Sequence, residues 1–380
     1  MGAYFDNAAA SLPDMNAIAT MNDYMRVEFY NPSGHYTRGF GARKEIDVAR
    51  QTVAHYLNAE PEDIIFTSGS TESNNMVLQS FAKSGWRLAT TSIEHHAVLN
   101  LIPMFSSYTL VDLKDGVADV DCLENILKSS EIPTIVSIMA VNNETGYSSP
   151  IKEIGGLCKK YGAFFHCDAT QAIGKIPIDV QKMHIDMLSA SAHKFGGVRG
   201  VGFLYADKNA CEHLKPLMFG GGHERGFRSG TESAPLIAAM AVAMEDSVKN
   251  INKNYKKMLE VMNYFKDSLL NLASNIHFNN EAQDASRSGI VSVRFDNMRA
   301  EEILEFIGRM DIAASSGSAC NSSSNKPSYV LTAIGLTDEQ AGSTLRFSFN
   351  YQNTKEEVDY CIKIIKMFYE MHDFNNYLKQ

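Results

Sequence analysis

A buried strand with a polar carboxyl end is predicted for Asp186-Met-Leu-Ser-Ala-Ser-Ala-His-Lys194, which is followed after Phe195 by Gly196-Gly197. A second buried strand is predicted for Gly162-Ala-Phe-Phe-His-Cys-Asp-Ala-Thr-Gln171, and it delivers Asp168 and Gln171 at its end. Open α/β sheets bind ligands beyond the carboxyl ends of their strands. We therefore expect Lys194 and Asp168 to meet at one edge of a sheet.

Around these two segments, short apolar runs alternate with longer amphipathic stretches from about Ala49 to Tyr205. This alternation predicts an α/β fold, in which helices flank a mostly parallel sheet. The candidate strands of this region are Ile64–Thr67, Trp86–Thr90, Thr134–Met139, Ala163–Cys167, Met187–Ala190 and Gly202–Tyr205.

The pattern changes after a long predicted helix from Ala234 to about Leu272. Strands are predicted at Ser288–Phe295 and Ser343–Phe349, and helices at Arg299–Met310 and Lys355–Met371. Thr354 and Glu357 form a predicted capping box for the last helix, which carries an apolar stripe of Val358, Ile362, Ile365 and Phe368. We place a large domain at residues 13–252 and a smaller α/β domain at residues 1–12 and 253–380.

The composition of the 380 residues is that of a soluble globular protein, with 44% hydrophobic residues and a formal net charge of -9. The acidic balance argues against nucleic acid as a partner. The longest apolar run, Ala234 to Met244, is too short to span a membrane, and no secretory leader is apparent at Met1–Ala10. The six cysteines include no Cys-x-x-Cys pair, so neither a metal site nor a disulfide framework is predicted. These features predict a cytoplasmic protein.

An anion site is predicted in the segment Ile64-Ile-Phe-Thr-Ser-Gly-Ser-Thr-Glu-Ser73. The segment predicts a strand, a turn of small residues and a helix that starts near Ser70 and Thr71, so backbone amides and the helix dipole would face a phosphate. Its plainer interpretation is that Ser and Thr simply cap a helix. His95 and Asn143 also follow predicted strands. The His95 ring would stack on a planar cofactor and could act as a catalytic acid or base, and Asn143 would hydrogen-bond a cofactor or substrate oxygen. Their plainer interpretations are a structural histidine and a turn residue.

A lysine and a carboxylate on neighbouring strand ends are what pyridoxal 5'-phosphate requires, because the amine forms a Schiff base and the carboxylate keeps the pyridine nitrogen protonated. Taken alone, Asp168 and Lys194 fit an ordinary salt bridge equally well. The predicted phosphate turn favours the cofactor interpretation.

Together these segments resemble the cysteine desulfurase family within the class-V aminotransferase-like, fold-type I enzymes, along essentially the whole chain. The segments that carry the resemblance are Tyr4-Phe-Asp-Asn-Ala-Ala9, Phe66-Thr-Ser-Gly-Ser-Thr-Glu-Ser73, Glu94-His95, Val141-Asn-Asn-Glu144, His166-Cys-Asp-Ala-Thr-Gln171, His193-Lys194, Gly220-Gly-Gly-His-Glu-Arg-Gly-Phe-Arg-Ser-Gly-Thr231 and Ser315-Ser-Gly-Ser-Ala-Cys320. The resemblance implies a seven-stranded sheet in the large domain.

The resemblance also implies roles for individual residues. Lys194 would be the Schiff-base lysine, Asp168 the pyridinium partner, Gln171 a donor to the ring hydroxyl and His95 the stacking ring. The phosphate would be held by Ser70, Thr71, Ser191 and His193, with Thr231 reaching over from the second subunit of a homodimer. Asn143 and Arg346 would bind the carboxylate of the substrate L-cysteine.

Cys320 is the residue that would distinguish a desulfurase from an aminotransferase or a β-lyase, because its thiolate would take the substrate sulfur as a persulfide and leave L-alanine. It lies in a stretch rich in Ser, Gly and Asn, whereas the other cysteines lie in apolar or amphipathic runs. Without the cofactor motifs, Cys320 would be read as an inert loop thiol. The Ser-rich continuation to Ser328 resembles the branch that serves iron-sulfur assembly, so a scaffold protein is the expected sulfur acceptor.

Two departures from the family pattern are apparent. Ala192 stands where relatives commonly have glycine before the His-Lys pair, a small change in packing. The chain ends at Gln380, soon after the last predicted helix, whereas housekeeping relatives carry a longer tail that docks the scaffold.

Overall fold

A computed structural model describes residues 2–27, 29–279, 286–316 and 327–379, with side chains described as far as residue 371. In chain order the helices are α1 Met15–Val27, α2 Thr37–Leu57, α3 Ser70–Lys83, α4 His96–Leu99, α5 Val120–Lys128, α6 Ile151–Tyr161, α7 Lys208–Cys211, α8 Ala234–Lys249, α9 Ile251–Leu270, α10 Ala300–Arg309, α11 Tyr329–Ala333, α12 Asp338–Gly342 and α13 Lys355–Lys379. The strands are β1 Ala3–Tyr4, β2 Ile64–Thr67, β3 Arg87–Thr91, β4 Tyr108–Val111, β5 Leu113–Lys114, β6 Val117–Ala118, β7 Thr134–Met139, β8 Phe164–Asp168, β9 Met187–Ser191, β10 Gly202–Ala206, β11 Ile276–Phe278, β12 Ile290–Phe295, β13 Ile312–Ala313, β14 Ser315–Ser316 and β15 Thr344–Ser348.

The chain divides into two compact units. The larger unit contains residues 11–142 and 149–251, and the smaller unit contains residues 1–10, 143–148 and 252–380. The short segment Asn143–Ser148 therefore groups with the smaller unit although it lies between two strands of the larger one. The predicted domain boundaries, at residues 12 and 252, did not include this segment in the smaller domain.

The larger unit is built on a seven-stranded sheet in the order β2-β10-β9-β8-β7-β3-β4. Strands β9, β8, β7, β3 and β4 are parallel, and β10 is antiparallel to both of its neighbours. The prediction of a mostly parallel seven-stranded sheet flanked by helices is thus confirmed. One strand of this sheet, the edge strand β4, was not among the candidate strands. Of its four residues only Val111 is buried, so its sequence lacks the apolar run that predicts a buried strand.

The sheet is covered on both faces, as its strand sequences require. Along β9, Leu188 and Ala190 belong to one apolar cluster, whereas Met187 belongs to a cluster on the opposite face. This alternation follows from the two-residue period of a strand. The same period places His166 and Asp168 of β8 together on the face opposite Phe165 and Cys167.

The smaller unit contains the antiparallel sheet β11-β12-β15-β14 and a separate parallel pair, β1 with β13. Its core includes an aromatic cluster in which the rings of Phe265 and Phe347 lie 4.8 Å apart and those of Phe5 and Phe349 lie 5.0 Å apart. The predicted capping box is present at the start of α13, because the Glu357 amide donates to Thr354 Oγ1 and the Thr354 amide donates to the Glu357 carboxylate.

The long helix predicted between Ala234 and Leu272 is wrong in one respect, because it is two helices, α8 and α9. Asn250 ends α8, and its side-chain amide donates to the Asp246 backbone carbonyl at 3.0 Å and to the Asp246 carboxylate at 2.9 Å. Such local side-chain bonds compete with the helical hydrogen bonds. The break coincides with the boundary between the two units after Ile251.

Candidate active site

The carboxylate of Asp168 is held at the end of β8, where the residue is 5% exposed. Asn74 Nδ2 on α3 donates to Asp168 Oδ2 at 2.7 Å, and the Thr170 amide donates to Oδ1 at 3.0 Å. The Thr170 hydroxyl bonds the same oxygen. The Oδ1 atom of Asn74 is buried and has no hydrogen-bond partner among the described residues. The Asp168 carboxylate is therefore held in one orientation at the carboxyl edge of the sheet.

A buried histidine lies two residues before Asp168, on the same face of β8. The two ring nitrogens of His166 each lie 2.9 Å from a serine hydroxyl, Ser137 on β7 and Ser189 on β9. Burial lowers the pKa of His166 to about 4, against the opposing effect of the Asp168 charge. The neutral imidazole of His166 thus links β7, β8 and β9 through hydrogen bonds, two residues before Asp168.

Lys194 lies in a short 3₁₀ turn, Ala192–Lys194, directly after β9. Ser191, the last residue of β9, bonds Ser70 twice: the Ser70 amide donates to Ser191 Oγ at 2.8 Å, and the two hydroxyl oxygens lie 2.9 Å apart. Burial, followed by the charges of Lys194 and Arg199, lowers the pKa of His193 to about 4. The structure therefore brings Ser191 to the first turn of α3, where Thr71 is exposed next to Ser70.

Ala192 is fully buried, and its carbonyl accepts the amides of Phe195 and Gly197. A Cβ at Gly197 would lie 2.7 Å from that of Ala192. The side chain at position 192 is thus accommodated because position 197 lacks one.

His95 caps the start of α4, where its Nδ1 accepts the Ala97 amide at 3.1 Å. Burial lowers the pKa of His95, the Asp168 charge opposes this shift, and the Lys194 charge reinforces it. Both charges are therefore close enough to act on the His95 ring. The preceding residue, Glu94, is fully buried, accepts the Thr91 hydroxyl at 2.7 Å, and has its pKa raised to about 8, mainly by burial.

Gln171 lies three residues beyond Asp168 and is 3% exposed. Lys175 Nζ donates to Gln171 Oε1 at 2.7 Å. Because the carbonyl end of the amide is engaged in this way, the amino end is the one oriented to donate.

The predicted substrate pair, Asn143 and Arg346, lies within the smaller unit. Arg346 Nη1 donates to the Asn143 carbonyl and Nη2 to Asp6 Oδ1, both at 2.8 Å. Arg346 is 7% exposed, and its Nε is buried with no hydrogen-bond partner among the described residues. The structure thus presents a buried guanidinium that has donor capacity left for an anion.

Two carboxylates, the half-buried Asp6 and the buried Glu144, lie close to this arginine and also accept hydrogen bonds from Ser315 and Ser328, which lie two residues to either side of positions 317–326. The Ser315 hydroxyl donates to Asp6 Oδ1 at 2.8 Å, and the Ser328 hydroxyl donates to Glu144 Oε2 at 2.5 Å. Burial raises the pKa of Glu144 to about 7, although the Ser328 bond and the Arg346 charge both oppose the shift.

Cys320 lies outside the described residues. The five described cysteines are all free thiols: Cys122, Cys158, Cys167, Cys211 and Cys361. Burial raises the pKa of Cys158, Cys167 and Cys361, and it raises that of Cys211 to about 11. These four thiols are therefore poor nucleophiles.

Thr231 lies at the end of a Gly-rich loop, residues 220–231, and is exposed. It lines a cleft together with Thr67, Ser68 and Arg228. Within its own chain Thr231 thus lies beside the turn that leads to Ser70.

Several residues that hold the predicted site residues in place had no role in the sequence-based prediction. They are Glu72, Asn74, Glu94 and His166 in the larger unit, and Asp6 and Glu144 in the smaller unit. Most of them belong to the quoted family segments, which was the one signal that could have singled them out. Asn74 lies one helical turn after Ser70, so helical spacing would have placed it on the same face of α3.

The fold and the set of donors define a pyridoxal-phosphate enzyme: an amine after a strand, a buried carboxylate and paired hydroxyls at a helix start fit the ring nitrogen and phosphate of that cofactor. The family model described as aminotransferase class-V matches residues 3–361. The chain therefore belongs to the class-V aminotransferases, which depend on this cofactor.

Within that family, the relatives are cysteine desulfurases, and the chain belongs with them. The mitochondrial cysteine desulfurase of Eremothecium gossypii is 39% identical over 95% of this chain and 75% of its own length. The cysteine desulfurase IscS of Rickettsia bellii is 36% identical over 95% of this chain and 90% of its own. A solved NifS-like protein superposes with a TM-score of 0.88 at 34% identity, covering 98% of this chain and all of its own. The solved structure described as SspA in complex with cysteine has a TM-score of 0.77 at 32% identity over 93% of this chain and 100% of its own.

No helix among the described residues is both long enough and apolar enough to cross a membrane.

Proposed function

We propose that this chain converts L-cysteine to L-alanine and carries the released sulfur on Cys320, with Lys194 and Asp168 holding the cofactor. The observation that carries the proposal is the anchored carboxylate of Asp168, which lies at the sheet edge together with His95 and Lys194. When bound, pyridoxal 5'-phosphate supplies an electron sink for the charge that develops at the substrate Cα.

The larger unit supplies the residues for the cofactor. Asp168 would keep a proton on the ring nitrogen, His95 would lie against the ring, and Gln171 would donate to the ring hydroxyl. The paired hydroxyls of Ser70 and Ser191 would bind the phosphate. Thr71 and His193, which adjoin these two serines, would complete the phosphate site, and His193 would act as a neutral donor because its pKa is lowered.

The smaller unit supplies the residues for the substrate carboxylate. Arg346 is already oriented by Asn143 and Asp6, so it would lose little conformational freedom on binding an anion. A planar guanidinium suits a carboxylate because it offers parallel N–H donors. This arrangement selects α-amino acids over simple amines and thiols.

The Lys194 amine would remove the Cα proton of the substrate, and the Cys320 thiolate would then attack the substrate sulfur. The carbon–sulfur bond breaks as the sulfur–sulfur bond forms, and the electron pair of the broken bond stays with Cβ, which takes up a proton. The balance is one L-cysteine and one enzyme thiol giving one L-alanine and one enzyme persulfide.

The experiment compares Cys320→Ser with Cys122→Ser, which alters a half-buried thiol of the larger unit. After brief exposure to L-cysteine, mass spectrometry should find one added sulfur on the peptide with Cys320 in the wild type and in Cys122→Ser. Cys320→Ser should bind L-cysteine, as seen by a change in visible absorbance, but form no alanine. Lys194→Ala should lose both the visible band and turnover.

Alanine formed at the normal rate by Cys320→Ser would contradict the proposal. Release of free sulfide without alanine would instead identify a β-lyase.

A homodimer is also part of the proposal. Large apolar side chains are exposed between residues 25 and 40 of the larger unit, including Met25, Phe29, Tyr36 and Phe40. Such a surface is typical of a subunit interface. In the dimer Thr231 would reach the phosphate of the partner subunit, so Thr231→Ala should weaken cofactor binding, and a monomeric, active enzyme on a sizing column would contradict the dimer.

For the product, we propose transfer of the persulfide sulfur to a protein acceptor such as an iron-sulfur scaffold, in the cytoplasm. The names of the IscS relatives support the acceptor, and the free thiols of the described cysteines suit a reducing compartment. Radiolabelled sulfur should pass from the loaded enzyme to an added scaffold protein, and cell fractionation checks the compartment.

A further inference from the structure

A carboxylate lies inside the turn that we propose to hold the phosphate. Glu72 is in the first turn of α3, and its Oε2 accepts the Ser68 amide at 2.8 Å. The Glu72 side chain is only 10% exposed, so solvent screens its charge poorly. An unpaired anion at this position would repel a phosphate dianion, although the same carboxylate is needed to fix the backbone of the turn.

Arg228 provides the compensating charge. Its Nε donates to Glu72 Oε1 at 3.0 Å, and its side chain is 25% exposed. Each oxygen of Glu72 therefore has its own donor, one from the turn and one from the Gly-rich loop 220–231.

A second carboxylate–arginine pair fixes the same loop. Arg50 on α2 donates twice to Glu224, at 2.7 and 2.9 Å, and Glu224 also accepts the Phe66 amide of β2 at 2.9 Å. The loop is thus bonded at Glu224 to the strand before the turn and at Arg228 to the turn itself. This double attachment fixes the position from which Arg228 meets Glu72.

We propose that Arg228 is a positioning residue for the phosphate site, which it serves by neutralising Glu72 rather than by binding the phosphate. Glu72 keeps the Ser68 amide in place, and Arg228 removes the electrostatic cost of having a carboxylate there. This inference rests on the proposed function, because it assumes that the turn at Ser70 holds the phosphate of the cofactor.

The experiment measures equilibrium binding of pyridoxal 5'-phosphate and of pyridoxal, which lacks the phosphate, to the apo-protein by absorbance. The variants are Arg228→Met, Glu72→Gln and the two combined. Glu72→Gln keeps an oxygen that can accept the Ser68 amide but removes the charge. Lys182→Met is the matched control, because it removes one positive charge from an exposed ion pair with Asp179 in the same unit.

Arg228→Met should raise the Kd for pyridoxal 5'-phosphate by roughly tenfold, since it leaves an uncompensated like charge, and should change the Kd for pyridoxal by less than about twofold. The combined variant should return to within about threefold of the wild type, because the repelling charge is then gone as well. Arg228→Lys keeps the positive charge and should bind pyridoxal 5'-phosphate with a Kd within about threefold of the wild-type value. This variant tests the role of the charge even if Arg228→Met does not fold.

A combined variant as weak as Arg228→Met, or an equal loss of pyridoxal binding, would overturn the inference, because Arg228 would then act on the phosphate directly or on the fold. The inference would also be overturned if Arg228→Lys bound pyridoxal 5'-phosphate as weakly as Arg228→Met does. A wild-type protein that binds no pyridoxal 5'-phosphate would overturn the proposed function and this inference with it. A wild-type protein that binds the cofactor with no phosphate-specific effect of Arg228→Met would overturn the inference alone.

Discussion

Asp168 receives its hydrogen bonds from two separate parts of the chain, Asn74 on α3 and Thr170 just beyond β8. Both donors hold the carboxylate in one orientation. A carboxylate held at this position would keep a proton on the pyridine nitrogen of the cofactor, so the surroundings of Asp168 matter as much as its identity.

Asp168→Ala should therefore still bind pyridoxal 5'-phosphate through Lys194, but turnover of L-cysteine should fall by at least about a hundredfold, because an unprotonated ring is a poor electron sink. Asn74→Ala removes one of the donors and should cost less, about tenfold. Steady-state alanine formation measures both. A near-normal rate for Asp168→Ala would show that another group protonates the ring.

At the scale of secondary-structure elements, side chains hydrogen-bond the backbone groups along one edge of strand β2. Among the described residues, β2 pairs only with β10, and its other edge is hydrogen-bonded by side chains. Glu224 accepts the Phe66 amide, while Arg50 and Arg225 donate to the Ile64 carbonyl at 2.6 and 2.8 Å. Arg225 and Glu224 adopt left-handed backbone conformations with φ of 55° and 47°, a strain that these bonds offset.

Arg50→Met should lower the free energy of unfolding of the apo-protein by about 3 kcal/mol, because it leaves the buried Glu224 carboxylate without its ion-pair partner. Urea denaturation measures the change, and Lys182→Met, at an exposed pair, should cost less than about 0.5 kcal/mol. Adding Glu224→Gln to Arg50→Met should recover part of the loss. If Arg50→Met were as stable as the control, the pair would not be what secures this edge.

At the scale of the whole molecule, desolvation is the main cause of raised pKa values at the buried Glu94, to about 8, and at the buried Glu144 and the half-buried Asp186, both to about 7. A pKa that is higher in the folded than in the unfolded state stabilises the fold at low pH, and this contribution is lost as the pH rises through the folded value. His166 and His193, with pKa values lowered to about 4, act in the opposite sense, but their contribution is complete once the pH exceeds about 6.5.

Above pH 7 the carboxyl groups therefore dominate, and we expect the free energy of unfolding of the apo-protein to fall between pH 7 and pH 8.5, chiefly through Glu94. Glu94→Gln, which is neutral throughout, should flatten this decline. Urea denaturation at a series of pH values measures it. An identical slope in wild type and Glu94→Gln would mean that Glu94 is already ionised at neutral pH.

Most helices and strands, and the chemical groups at their ends, could be predicted from the amino-acid sequence. The apolar runs that end at Asp168 and Ser191 specified buried strands, and the small residues of the Ser70 turn specified a strand-to-helix junction, because both patterns are local and repeat with the period of their structure. Parallel strands end at one edge, so the proximity of Asp168 and Lys194 could be predicted before any fold was known. The exposed edge strand β4 and the break at Asn250 lacked such a clear pattern and were missed.

The hydrogen-bond partners of the site residues depend on the tertiary fold. Asn74 meets Asp168 across 94 positions, Glu224 meets Phe66 across 158, and Asp6 meets Arg346 across 340. Polar pairs of this kind leave no periodic trace in the sequence, because each depends on where packing places two distant segments. The same holds for the raised pKa of Glu94: the residue is visible in the sequence, but its burial, which sets its charge, exists only once the chain has folded.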